Sequence, residues 1–149
     1  MKRIHLIFVL ISVIFTACNT YNENQLKSFD LEIEDWMKKK NTTLERTSSG
    51  LYYSAIVAGS GQNIKYTDSV AVVFKGKLLN GTVFEIEKEP VTFAVRDVVV
   101  GWKEALLMSQ NKSVIQIIVP PQLGYGDHKL DKIPKNAILL YEIEIVDIK

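Results

Sequence analysis

One cysteine and two histidines are the chain's whole stock for nucleophilic or soft-metal chemistry. Cys18 has no second cysteine to pair with, so it closes no disulfide within the chain. His5 lies in an apolar leader, which leaves His128 as the single imidazole beyond it. That excludes a multi-histidine metal site and makes a serine–histidine triad hard to assemble. Gly59-Ser60-Gly61 places a serine between glycines, but the spacing is not that of a nucleophile elbow and the surroundings read as a turn. No cofactor and no metal is implied. More abundant are rings, among them Phe74, Phe84, Phe93, Trp102 and Tyr141, and by periodicity alone these read as core.

The elements that must position these groups follow a leader. Lys2 and Arg3 precede an almost unbroken apolar run from Ile4 to Phe15 and the small-residue exit Thr16-Ala17, the pattern of a cleaved signal peptide over residues 1–17. The run is shorter than the about 20 residues a membrane-spanning helix needs. Phe15-Thr16-Ala17-Cys18 resembles a bacterial lipobox, with Phe15 in place of the usual Leu. The resemblance implies acylation of Cys18 and attachment to a membrane, since two acyl chains anchor durably where one does not. Removing Lys2 and Arg3 from the 18 basic residues leaves 16 against 17 acidic ones, a formal charge of −1. So even a balance gives no electrostatic argument for nucleic acid.

Residues 18–49 read as a tether. Within it Leu26, Phe29, Ile33, Trp36 and Met37 recur at helical spacing, with acids at Asp30, Glu32, Glu34 and Asp35 and with Lys38, Lys39 and Lys40 in the last turn. Such a helix is marginal alone in water, so its apolar stripe needs a partner. The reading preferred is a stalk packing on the following domain; a docking or dimerisation arm is the other. From Gly50 the period changes. Leu51–Ala58, Ser69–Lys77, Thr82–Ile86, Val91–Val95, Ser113–Val119 and Ala137–Ile148 read as strands, and Asn80-Gly81 as a type I′ hairpin turn between two of them. One short helix is expected over Trp102–Ser109. The fold class is therefore α+β, a curved antiparallel sheet of five or six strands around one short helix that packs on its single apolar face, preceded by an amphipathic helix. Alternation in the last strand turns Tyr141, Ile143 and Ile145 toward the helix and Glu142 and Glu144 away.

Six segments over residues 50–149 stand in an order that resembles the FKBP family of peptidyl-prolyl cis/trans isomerases. They are Val73-Phe74-Lys75-Gly76, Asn80-Gly81-Thr82-Val83-Phe84-Glu85, Val98-Val99-Val100-Gly101-Trp102-Lys103-Glu104-Ala105-Leu106, Val119-Pro120-Pro121-Gln122-Leu123-Gly124-Tyr125-Gly126, Ile133-Pro134-Lys135-Asn136-Ala137 and Leu140-Tyr141-Glu142-Ile143-Glu144. The nearest resemblance is to the gliding-motility-associated lipoprotein isomerases. It implies that X-Pro-containing polypeptide chains place a proline ring in an apolar pocket. Trp102 would form its floor, and Phe74, Phe84, Val98, Val99, Ile133 and Tyr141 its walls. Val91 would stand where the family often has another ring, and Tyr125 would reach over the carbonyl that precedes the proline.

Two departures fall at the expected catalytic rim formed by Tyr125, Phe84 and Glu85. Phe74 replaces the family's usual Tyr and Glu85 its usual Asp, so the hydroxyl-to-carboxylate bond between them is lost, a contact worth about 1.5–3 kcal/mol. Measurable but reduced isomerase activity is the expectation. The loop Asp127-His128-Lys129-Leu130-Asp131-Lys132, glycine-rich in relatives, is expected to overhang the pocket. The resemblance implies a folding assistant for exported proteins, lipid-anchored in the cell envelope at the periplasmic face of the outer membrane. A catalytically weakened holdase and a structural part of an envelope or motility complex are the alternatives.

Overall fold

The computed structural model describes residues 20–149. The expected signal peptide and Cys18 lie outside the described residues. Eight principal elements follow in order: helix α1 (Glu23–Lys40), strands β1 (Glu45–Arg46), β2 (Tyr52–Val57), β3 (Ser69–Leu78) and β4 (Val83–Ala94), helix α2 (Val100–Leu107), and strands β5 (Val114–Val119) and β6 (Leu139–Ile148). All six strands join one antiparallel sheet in the order β1-β2-β5-β6-β3-β4. Its inner face buries Val70, Val72, Phe74, Ile115, Ile117, Tyr141, Ile143 and Ile145 against Trp102, Ala105 and Leu106 of α2. Glu142 and Glu144 face out, as alternation requires.

The sheet is apolar on both faces, not on one. Tyr52, Ile118 and Leu140 point outward from β2, β5 and β6 and are covered by Phe29, Ile33, Trp36 and Met37 of α1. Ile33 is completely buried. The stripe of α1 is thus spent on the outer face of the sheet, which makes three layers: α1, sheet, α2. Asn22 caps the helix reciprocally with Gln25, each side chain accepting the other's backbone N–H at 3.0 Å. Asn41 ends it in the left-handed region, φ 50°. Polar ties reinforce the packing. The Arg46 guanidinium donates twice to the Asp30 carboxylate (3.0 and 2.9 Å), the Tyr52 hydroxyl donates to the same group (3.1 Å), and the Trp36 indole donates to the Leu79 carbonyl (3.0 Å).

Several local expectations are corrected. Residues 82–86 and 91–95, expected as two strands, are joined in the single strand β4, which leaves out only Thr82 and Val95 at the two ends. The intervening charges and Pro90 stay extended because β4 is the sheet's edge. Register shifts there, since Val72 pairs with Val91 but Phe74 with Glu87. At a bulge on an edge, the missing proline N–H costs no ladder bond. The β3–β4 connection is not a type I′ turn. Only Gly81 has positive φ (93°), the Gly81 N–H donates to the Leu78 carbonyl (2.9 Å), and the Leu78 N–H to the Thr82 carbonyl (2.9 Å). This is a three-residue hairpin with glycine in the left-handed position. Helix α2 starts two residues before its expected first residue and ends two before its expected last. β1, only two residues long, falls within residues 18–49, where the tether reading places a helix and no strand.

Truncating Asp30 to Ala should cost about 1–2 kcal/mol, because it strands the Tyr52 hydroxyl and frees Arg46; urea unfolding measures it. Burial first, and then Asp30, pushes the Tyr52 phenol up to about 12. A folded-state value above the ordinary 10 means stability that is present below pH 10 and lost as pH rises through about 12. Tyr52→Phe should flatten the fall of stability over that alkaline window.

Candidate functional site

Between the inner face of the sheet and the start of α2 lies a cavity of about 310 Å³ lined by Phe74, Glu85, Phe93, Asp97, Val98, Val99, Trp102, Tyr125 and Tyr141. Its floor is the Trp102 indole in the first turn of α2. Three rings hold that indole edge-on: Phe74 at 5.0 Å and 88°, Tyr141 at 5.1 Å and 90°, and Phe93 at 6.0 Å and 78° between ring centroids and planes. Edge-to-face contacts of this kind contribute about 0.5–1.5 kcal/mol each beyond area burial. They also fix the ring while leaving one side toward the cavity.

Two glycines make this packing sterically feasible. A Cβ on Gly101, inside α2, would stand 2.6 Å from Val119 Cγ1 of β5. A Cβ on Gly76 of β3 would stand 2.5 Å from Phe84 and 2.9 Å from Tyr141. The first lets α2 press onto the sheet; the second leaves room for the rings above β3.

Tyr125 reaches the cavity from a turn after Pro121–Leu123. The Gly126 N–H donates to the Pro121 carbonyl (3.0 Å) with φ 61° at Gly126, and the Asn136 N–H donates to the Gly126 carbonyl (2.9 Å). The Tyr125 phenol is held protonated beyond its ordinary range, by burial first and then by the Glu85 carboxylate. Tyr141 is pushed further in the same direction, chiefly by burial; Tyr125 and Trp102 both face its hydroxyl. Both phenols are hydrogen-bond donors at neutral pH. The Glu85 carboxyl is raised by partial desolvation and then by Glu87, with Lys132 opposing. Phe74 has no hydroxyl to offer it. The cation whose charge acts on it instead is Lys132.

Seven of the ten residues expected around this site line the cavity: Phe74, Glu85, Val98, Val99, Trp102, Tyr125 and Tyr141. Phe84, Val91 and Ile133 do not. Phe84 stands behind the cavity with its ring 5.5 Å from Tyr141, Ile133 is buried in the core, and Val91 is packed against that core. Phe93 and Asp97 are the lining residues that sequence reasoning missed. Phe93 shares a strand face with Val91, and its longer ring reaches Trp102 where the valine does not; the i, i+2 alternation pointed to either. Asp97 ends a 3-10 turn (Val95–Asp97) that no periodicity marks.

Comparison with known proteins bears on the same region. The family model for FKBP-type peptidyl-prolyl cis-trans isomerases matches residues 60–146. The chain is 40% identical over 110 residues to the FKBP-type peptidyl-prolyl cis-trans isomerase FkpA of Buchnera aphidicola subsp. Schizaphis graminum, covering 71% of this chain and 44% of that protein. To FkpA of Escherichia coli K12 it is 34% identical over 119 residues, covering 78% and 43%. To the isomerase Mip of Coxiella burnetii it is 34% identical over 115 residues, covering 74% and 50%. The chain therefore spans about half the length of the curated relatives it matches, or less. The crystal structure of E. coli FkpA superposes with a TM-score of 0.73 at 30% identity, covering 85% of this chain and 62% of that one. An isomerase structure from Pseudomonas syringae pv. tomato superposes at 0.71 and 22% identity, covering 85% and 95%, which speaks to the fold alone.

Gly101→Ala should lower stability by about 1–3 kcal/mol through overpacking against Val119 and alter the near-ultraviolet circular dichroism of the Trp102 cluster. Gly81→Ala, with open space around its Cβ but φ 93°, should cost about 1 kcal/mol through backbone strain alone. Its near-ultraviolet spectrum should match the parent's.

Proposed function

Because the chain belongs to the FKBP-type peptidyl-prolyl cis-trans isomerase family, we propose that it accelerates cis/trans exchange of X-Pro bonds in polypeptides, assisting the folding of exported or envelope proteins. The observation that carries this reading is the ring-floored cavity with one phenol donor, Tyr125, on its rim. Rotation about a peptide bond meets a barrier of about 18–20 kcal/mol because resonance is lost at the twisted geometry. No bond to the substrate has to be made or broken, so no nucleophile is required. A planar amide carries more charge separation than a twisted one. Water solvates the planar form better, and an apolar cavity removes that advantage. The proline ring would seat over Trp102 between Phe74, Phe93 and Val98. Tyr125 would donate to the carbonyl oxygen before the proline and hold the acyl side while the prolyl side turns.

The exchange of Tyr for Phe74 and of Asp for Glu85 supports a rate below that of a rim closed by a hydroxyl–carboxylate bond. We place the protein in the cell envelope, held to a membrane through acylated Cys18, at the periplasmic face of the outer membrane, with X-Pro chains as its partners. Association with a motility complex belongs to the same proposal and rests on the lipoprotein resemblance alone.

Exchange of a short Xaa-Pro peptide, followed by protease-coupled absorbance or exchange NMR, tests the central claim. Wild type should accelerate it, and Tyr125→Phe should lower kcat/KM about 3- to 10-fold, the equivalent of one neutral hydrogen bond. No acceleration by wild type would sink the isomerase reading. With Tyr125 held protonated past its ordinary range, the rate should stay level across neutral pH and not fall until above pH 10. For the anchor, radiolabelled palmitate should enter the wild-type chain expressed in a bacterial host and not Cys18→Ala; equal labelling would count against it.

A further inference from the structure

A second cavity, of about 520 Å³, opens on the other side of Tyr125, walled by Thr20, Tyr21 and Leu26 from the N-terminal segment and by Pro121, Tyr125 and Asp127 from the turn. Tyr125 is thus a ridge shared by two cavities. We propose that the second cavity binds the residues that precede the X-Pro unit in the same extended polypeptide, taking an apolar side chain against Tyr21, Leu26 and Pro121. The inference rests on the isomerase reading for its orientation. If the carbonyl before the proline meets the Tyr125 hydroxyl and the proline ring descends toward Trp102, the chain on the amino side leaves across the opposite flank of Tyr125. An extended chain advances about 3.3–3.6 Å per residue, so the next residues reach the second cavity directly. Its volume lies within the range of about 300–1,000 Å³ typical of binding clefts.

The wall contributed by the N-terminal segment is preformed. The Tyr21 hydroxyl donates to Asn136 Oδ1 (2.7 Å), and the Tyr21 ring meets Phe29 edge-on at 5.3 Å. Asn136, in the left-handed region at φ 56°, donates its N–H to the Gly126 carbonyl (2.9 Å), next to Tyr125. One latch therefore joins the helix start, the loop and the tyrosine turn. A site already ordered loses less entropy on binding. The segment before α1 then sets how the protein grips sequence upstream of a proline.

Fluorescence anisotropy with two labelled peptides on the same chain decides it. One is a short Xaa-Pro peptide; the other carries three further residues at its amino end, including Phe. Wild type should bind the longer about tenfold more tightly. In Leu26→Glu and in Thr20→Arg that ratio should fall to near one, whereas in Leu31→Glu, exposed on α1 away from the cavity, it should hold. A wild-type ratio near one, or a ratio preserved in both cavity variants, overturns the proposal, as does failure of both peptides to bind. Tight binding of the longer peptide without accelerated exchange of the short one would instead remove the isomerase reading and leave the second site standing.

Discussion

An aromatic ring that must be both rigid and partly bare is the constraint on which the rest of the domain depends. Trp102 lines the cavity, so it cannot be covered on every side; it cannot be loose, or the cavity has no fixed shape. Edge-on contacts from Phe74, Phe93 and Tyr141 meet both requirements, because they press on the indole from three directions and leave its remaining side open. Those rings come from β3, β4 and β6, so the sheet register has to bring three separate strands to one place. The approach of α2 to β5 at Gly101 and Val119 then brings the indole down among them.

The parts of this arrangement that were legible in the sequence are those governed by short-range periodicity. Two-residue alternation oriented Tyr141, Ile143 and Ile145 inward, and helical spacing marked the stripe from Phe29 to Met37. The outer layer was harder to read, because Tyr52, Ile118 and Leu140 share their strand faces with Ser54, Gln116, Glu142 and Glu144, so alternation reads that face as solvated. The β3–β4 turn misled because Asn-Gly suits two hairpin geometries, and the choice between them is made by the register of the flanking strands. Among the site residues, resemblance supplied what periodicity could not: without it, the rings read as core. Phe84, Val91 and Ile133, which it also named, pack in or against the core and are not among the residues that line the cavity.

The N-terminal helix has a larger structural role than its place ahead of the matched family region suggests. It seals the outer face with Ile33, ties β1 and β2 through the Asp30 carboxylate, and at its start delivers Tyr21 to the loop beside Tyr125. The same eighteen-residue element therefore touches both faces of the domain's organisation, its packing at the back and its tyrosine turn at the front.

A sheet with two open margins faces a hazard, since an extended strand from another chain could add itself to the ladder and never leave. Both margins here resist that. One margin is β1, only two residues long. The other, β4, carries Glu85, Glu87, Lys88 and Glu89 in near succession, then Pro90, which has no N–H to lend, at the point where the register breaks. Charges, a proline and a bulge are the means by which exposed margins avoid templating aggregation. An extended chain that met either margin would thus find too short a ladder at β1 and charges and a proline at β4, so the sheet can stand among sticky strands without seeding a shared one.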